Sequence, residues 1–343
     1  MKAFSQTPGQ QVWNVRDFGA KGNGAGDDTD AIQAAFDAAA QGGTVFFPCG
    51  TYEVKASRPF TPHSGTIIRG AGMKCSIIRY ASAKWNQTLF SLVYDQNSSY
   101  GSQIKFEDIM IQGRDIPGTT CVYAGSSGNP KTQHITFRDV KITQCDPGIK
   151  TGDLWYLVVD DSLLEWNHGS AVEFQEDNAV TGAFFVNGTR IGNNGGHGIV
   201  HDGKGVLVQL VVRDSEVSYN GGTEIVTGNA RDAALESVWL EEDTSPRDGV
   251  DLTGCLACTV NEVHSDHACR GVVASTTSTN VRIVNSSFTN SLRTPISLKS
   301  GSTGEIHGNR ADGPFQLPTT MVSSGNYAPA LTPQTMLQTD ACQ

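Results

Sequence analysis

The 343-residue chain holds 35 acidic against 25 basic side chains, a net charge of −10 that leaves no basic stripe to displace counterions from nucleic acid. Charged residues are only 17% and glycine fills 38 positions, a turn-rich composition that suits β structure better than helix. No apolar run reaches the roughly 18 residues of a membrane helix, so no membrane span is expected.

The opening MKAFSQTPGQQ lacks the apolar centre of a signal peptide. Asp27 to Ala40 then carries helix signals. Asp28 or Thr29 can cap the first turn, Asp30 suits the dipole, Ile32, Ala35, Phe36 and Ala39 form one apolar stripe, and Gly42-Gly43 stops the helix. Strands are expected over 44–47 and 52–54, broken by Pro48 and Gly50.

Further strands are predicted over 66–69, 76–80, 89–93, 104–111 and 135–142. The polar insertions 94–101, 113–120 and 125–131 should emerge as loops that wall a cleft. From 148 to 300 one phrase recurs: GIKTGD at Gly148, SAVEFQ at Ser170, GIVHDG at Gly198, EIVTGN at Glu224, GVDLTG at Gly249, GVVAST at Gly271 and PISLKS at Pro295. Successive copies lie roughly 20–28 residues apart, the period of a solenoid, and no copy can bury its apolar side alone. Pro314, Pro318, Pro329 and Pro333 mark an irregular tail.

The run DFGAKGNGAGDDTDAIQAAFDAA…GGTVFFPCGTY resembles the opening of the pectate-lyase-like right-handed parallel β-helix superfamily, which includes polygalacturonases, polysaccharide lyases, epimerases and phage tail-spike depolymerases. The resemblance implies an all-β, single-stranded right-handed parallel β-helix with an N-terminal capping α-helix. The expected plan is one domain over 1–343, with a cap at 14–54, rungs at 64–310 and a tail at 311–343. It also implies a polysaccharide substrate and an extracellular setting, secreted or virion-associated, reached through a leader already removed or another export route. Spike-type relatives suggest a homotrimer, with a monomer as the alternative. It does not fix the reaction, because the opening is a structural cap.

Aligning Ile149, Val172, Ile199, Ile225, Val250, Val272 and Ile296 inward sends alternate neighbours outward. A companion register holds Val159, Val186, Val212, Val260 and Ile283, shortly before Asn167, Asn194, Asn220, His267 and Asn290 at turns where stacked Asn amides can bond from rung to rung. Glu173, Asp202, Glu224 and Asp251 are thereby expected on one outer face. Glu173 with Asp202, and Glu224 with Asp251, would each be roughly 8 Å apart between backbones, within side-chain reach of the about 5–9 Å used by glycosidases. Lys150, Gln175, His197 and His201 are the expected substrate-binding neighbours. Acidic residues on a strand's solvent face also serve solubility alone, and that use stands beside the catalytic one.

GGHGI at Gly195 resembles the Gly-His-Gly segment of polygalacturonases, and GIK at Gly148 their basic segment. The Asp-Asp pair expected before the His is replaced by Ser170-Ala171, Lys150 precedes rather than follows it, and the DPH triplet of alginate epimerases is absent. Polygalacturonase chemistry is therefore not expected, and His197 can serve as a turn residue. Glu241, Glu242, Asp243 and Asp248 have the oxygen chemistry of a calcium site, though such runs are more often solvated loops; no other cofactor is expected. Cys255, Cys258, His264, His267 and Cys269 have a zinc-like spacing, with structural cysteines the better reading, and the pairing of the eight cysteines is not legible. His264, Asp266 and His267 could form a charged relay, but no Ser or Cys in a strained turn stands by to use it. Three functions follow: a glycosidase using paired carboxylates, favoured by the acidic face; a polysaccharide lyase using a Lys, Arg, His or Tyr base, with calcium as a bridge; and a non-catalytic glycan-binding spike.

Overall fold

Strands of successive coils pair in parallel to form three sheets, and the coils before Thr88 supply strands to two of the three. The computed structural model describes residues 11–81, 87–92, 103–125, 132–175, 180–201, 204–242 and 247–328. The fold is the expected all-β right-handed parallel β-helix. Two compact units, Met1–Gly169 and Ser170–Gln343, follow the same plan.

In the first unit the helix Thr29–Ala38 buries Ile32, Ala35 and Phe36. Its start is fixed by Asp27, whose carboxylate accepts from the Thr29 amide at 3.1 Å, rather than by Asp28. The Asp28 carboxylate is buried and takes the amides of Lys21 and Gly22. Phe36 packs 5.5 Å from Phe60 and 6.2 Å from Phe90, so the helix lids the apolar interior. Below it Phe90, Phe106 and Phe137 continue the column, the last two stacked at 4.9 Å. In-register parallel pairing puts equivalent positions about 4.8 Å apart, which makes such stacking automatic.

Two expected strands are each split in two. Residues 104–111 form Ile104–Glu107 and Met110–Gln112, and 135–142 lie in Thr132–Arg138 and Lys141–Thr143. The breaks fall at Asp108 and Asp139, both in left-handed geometry with φ of +55° and +52°. Asp tolerates that geometry at a turn, and there the chain passes from one sheet to the next.

In the second unit Val172, Ile199, Ile225, Val250, Val272 and Ile296 are register partners in one sheet and all are buried, as the repeat requires. Val186, Val212, Leu235, Val260 and Ile283 form the companion column. The turn amides bond between coils: Asn194 Nδ2 donates to Asn220 Oδ1 at 2.7 Å. Pairing extends beyond Ala311, through Met321–Ser324, with further bridges at Gln316 and Tyr327. Pro314 and Pro318 thus lie among paired segments of a further coil rather than in an irregular tail.

Cys49–Cys75 and Cys121–Cys145 each join neighbouring coils, and Cys255–Cys258 closes a local turn. Cys269 is also disulfide-bonded. With their thiols oxidised, Cys255 and Cys258 have no thiolates to offer zinc. Among the described residues no helix is long and apolar enough to cross a membrane.

The register makes a sharp contrast between adjacent side chains. Ile199→Ala should lower the unfolding free energy by about 2–4 kcal/mol. Val200→Ala, on the half-buried outer face, should cost less than about 1 kcal/mol. Urea titration of both variants checks this, and equal losses would contradict the register.

Candidate functional site

On the outer face of the first unit, Gln87, Thr88, Gly118, Thr120, Tyr123, Asp146, Pro147 and Lys150 line a cleft of about 400 Å³. The strands Thr88–Leu92, Thr120–Ala124 and Ile149–Thr151 supply its floor. Phe90, Val122 and Ile149 point inward in one column, so Ser91, Tyr123 and Lys150, the register partners one residue later, point outward in the next. Tyr123 and Lys150 therefore stand one coil apart, with about 4.8 Å between their strands.

The wall comes from the 113–120 insertion, in keeping with the expectation that insertions border a cleft. The Gly118 amide donates to Asp146 Oδ2 at 2.7 Å, and the Asp146 amide to Thr119 O at 2.6 Å. Cys121–Cys145 clamps the segment preceding Asp146 to the strand that carries Tyr123. Close packing reserves the space beside the carboxylate: a Cβ on Gly169 would lie 2.1 Å from Asp146 Oδ1. The other two insertions, 94–101 and most of 125–131, lie outside the described residues.

Of the sequence-predicted residues, Lys150 alone lines this cleft. In the second unit Glu173 and Asp251 do face outward, in the column Glu173, Val200, Val226, Asp251. They are three coils apart, about 14 Å between strands, beyond the about 9.5 Å limit of an inverting carboxylate pair. Asp202 lies outside the described residues, and Gln175 is exposed. Asp251 Oδ1 is occupied by the Thr253 amide at 2.8 Å and the Thr253 hydroxyl. His197 Nδ1 lies 3.1 Å from Thr223 O, the contact of a turn residue.

Two expectations are corrected. His201 is an inward position, 2% exposed, with Nδ1 3.1 Å from Thr227 O, because Val200 between it and Ile199 takes the outer face. It cannot reach a substrate on that surface. Glu224 is fully buried because it precedes its strand and turns into the corner of the coil. There it accepts from the Asn220 amide at 3.1 Å and from Asn220 Nδ2, ending the amide ladder. It also shares a hydrogen bond with buried Glu242. Burial pushes the Glu224 carboxyl up to about 7, against its hydrogen bonds to Asn220 and Glu242.

The acidic run does not assemble a calcium site from its described members. Glu242 is buried, Asp248 is paired bidentately with Arg270 at 2.8 and 2.7 Å, and Glu241 accepts from Trp239 Nε1. Asp243 lies outside the described residues. Among those described, no group of three His, Cys, Asp or Glu is placed to hold a metal.

Tyr123, Asp146, Thr120 and Gln87 were missed by sequence reasoning, although the signal was present. TLFSL at Thr88 and TCVYA at Thr120 are two earlier copies of the repeated phrase, and adding them puts Tyr123 beside Lys150. Asp146-Pro147 are also the first two residues of the DPH triplet, with Gly148 in place of the His.

Glu224 yields a pH prediction. In the unfolded chain it titrates near its ordinary 4.5, and in the folded chain near 7. Its contribution is full below 4.5 and declines as the pH rises through about 7, by up to about 3 kcal/mol. Urea midpoints should fall between about pH 5 and about pH 8, and Glu224→Gln should flatten that fall. An unchanged pH profile in the variant would contradict the assignment.

Residues 12–106 match the family described as rhamnogalacturonase A/epimerase, pectate lyase-like. Alginate lyase 7 of Azotobacter vinelandii is 33% identical over 209 residues, covering 54% of this chain and 23% of that protein. Mannuronan C5-epimerase AlgE3 of the same organism is 31% identical over 237 residues, covering 62% and 12%. The chain thus spans less than a quarter of the length of these relatives. Among solved structures, the A-module of Azotobacter vinelandii mannuronan C-5 epimerase AlgE4 superposes with a TM-score of 0.66 at 17% identity, covering 93% of this chain and 96% of that one. The repeating coils, the helical lid and these matches agree: the chain has the right-handed parallel β-helix fold, and its N-terminal part is similar to the pectate-lyase-like family.

Proposed function

We infer that this chain acts on a uronate-containing polysaccharide by removing the proton at C5, the step common to polysaccharide lyases and C5-epimerases. The observation that carries the reading is the stacking of Tyr123 and Lys150 on adjacent strands within one cleft. A proton next to a carboxylate is acidic only when the carboxylate's charge is neutralised, and among the described residues Lys150 is the cation that lines the cleft. Tyr123, acting as the phenolate after losing its own proton to solvent, then takes the C5 proton. The electron pair left behind either expels the C4 oxygen, which takes the proton now held by Tyr123 to give an unsaturated uronate and a new reducing end, or takes a proton from solvent on the opposite face and inverts C5. Asp146, held by the Gly118 amide, orients a sugar hydroxyl from the cleft wall. The alginate lyase and epimerase relatives support this chemistry over hydrolysis. Gly148 has no imidazole to offer, so the proton transfer falls to Tyr123, with Lys150 holding the uronate carboxylate.

Polymannuronate, polyguluronate and polygalacturonate should be incubated in D₂O. The expected result is unsaturated-uronate absorbance or deuterium at C5, with either signal reduced about 10²–10⁴-fold in Tyr123→Phe and comparably in Lys150→Ala. Glu173→Gln and Asp251→Asn should retain activity within a few-fold. New reducing ends without unsaturation or deuterium would indicate hydrolysis and overturn the reading.

A further inference from the structure

A different sheet of the second unit carries an aromatic surface that the cleft chemistry does not use. In the strands Trp239–Glu241 and His264–Asp266 the middle residues Leu240 and Ser265 point inward, so Trp239, Glu241, His264 and Asp266 point outward. Trp239 is 46% exposed, a costly placement for the largest apolar side chain. It is nevertheless held in one orientation. Its ring packs on His264 with centroids 4.0 Å apart, and its Nε1 donates to Glu241 Oε2 at 3.2 Å. Glu241 is also the acceptor of the Tyr219 hydroxyl.

The register puts Glu216 on the side of the indole opposite His264. Arg190 Nε at 3.0 Å and Ser218 Oγ at 2.7 Å both donate to Glu216 Oε1, so that carboxylate is engaged on its own coil and the one before it. An exposed, oriented indole whose polar neighbour is already hydrogen-bonded elsewhere is suited to the C–H face of a pyranose. That face is apolar, and its hydrogens meet the electron-rich ring.

We propose that Trp239, with His264, Tyr219 and Glu241, forms a second glycan-binding site, selective for neutral hexopyranoses over uronates. The selectivity follows from charge. Glu241 and Asp266 stand in the neighbouring outward column, and a uronate carboxylate laid on Trp239 meets them as like charges. Neutral hydroxyls instead find acceptors there. The site belongs to the second unit alone and does not depend on the chemistry of the Tyr123–Lys150 cleft.

Isothermal titration with cellohexaose, mannohexaose, maltohexaose and chitohexaose, beside hexamannuronate, tests the proposal. At least one neutral hexasaccharide should bind, with affinity at least about tenfold lower in Trp239→Ala and substantially kept in Trp239→Phe. Hexamannuronate should show no Trp239-dependent binding. The exposed position lets both variants fold, which circular dichroism verifies, and turnover of polyuronate at the cleft should be unchanged in both. Failure of every neutral sugar to bind, equal binding by Trp239→Ala, or a Trp239-dependent preference for hexamannuronate would each overturn it.

Discussion

Parallel backbone hydrogen bonding between coils fixes one distance, about 4.8 Å per coil, and the rest of the molecule depends on it. Any side chain repeated in register meets its copy at that spacing. Phe106 on Phe137 gains ring stacking from it, and Asn194 on Asn220 gains a buried amide bond. The same rule exacts a cost where like charges recur. Asp108, Asp139 and Asp161 occupy equivalent left-handed turn positions. Desolvation, with the neighbouring charges of Asp108 and Asp161, raises the Asp139 carboxyl above its ordinary value. The turn geometry that Asp tolerates outweighs that repulsion.

Because the interior is filled by these columns, chemistry is confined to the outer faces, where the stacking rule brings unlike groups together. In the first unit one sheet presents Ser91, Tyr123 and Lys150 in a single outward column. The corresponding sheet of the second unit presents Glu173, Val200, Val226 and Asp251, in which valines separate the carboxylates. A phenol beside an ammonium suits proton transfer from an anionic sugar. Carboxylates three coils apart cannot work on one glycosidic bond. Aromatic Trp239 and His264 then appear on another sheet, on a surface suited to binding without chemistry.

The fold was legible because strand alternation and coil period are both written in small apolar residues. The inward column from Val172 to Ile296 was aligned correctly from sequence alone. Two features hid the site. The ladder was begun at Gly148, one coil too late to include Tyr123. Glu224 was counted as outward on alternation, yet it sits before its strand, where the turn rotates the side chain into the corner to meet Asn220. Alternation holds within strands of two or three residues and fails at their ends. Asp108 and Asp139 failed in a related way: apolar residues on both sides of each bend read as one strand, and only the left-handed φ at the aspartate divides them. Disulfide pairing was not legible, since it depends on which coils lie adjacent, as with Cys121 and Cys145.

On the proposed chemistry the substrate's reacting uronate lies over the Tyr123–Lys150 column. A crystal structure of Tyr123→Phe with a bound oligouronate tests it most directly. The account predicts a uronate carboxylate within hydrogen-bond distance of Lys150 Nζ, with C5 facing the ring at position 123. An oligouronate lying instead across Glu173 and Asp251, with the cleft of Lys150 and Asp146 empty, would contradict it.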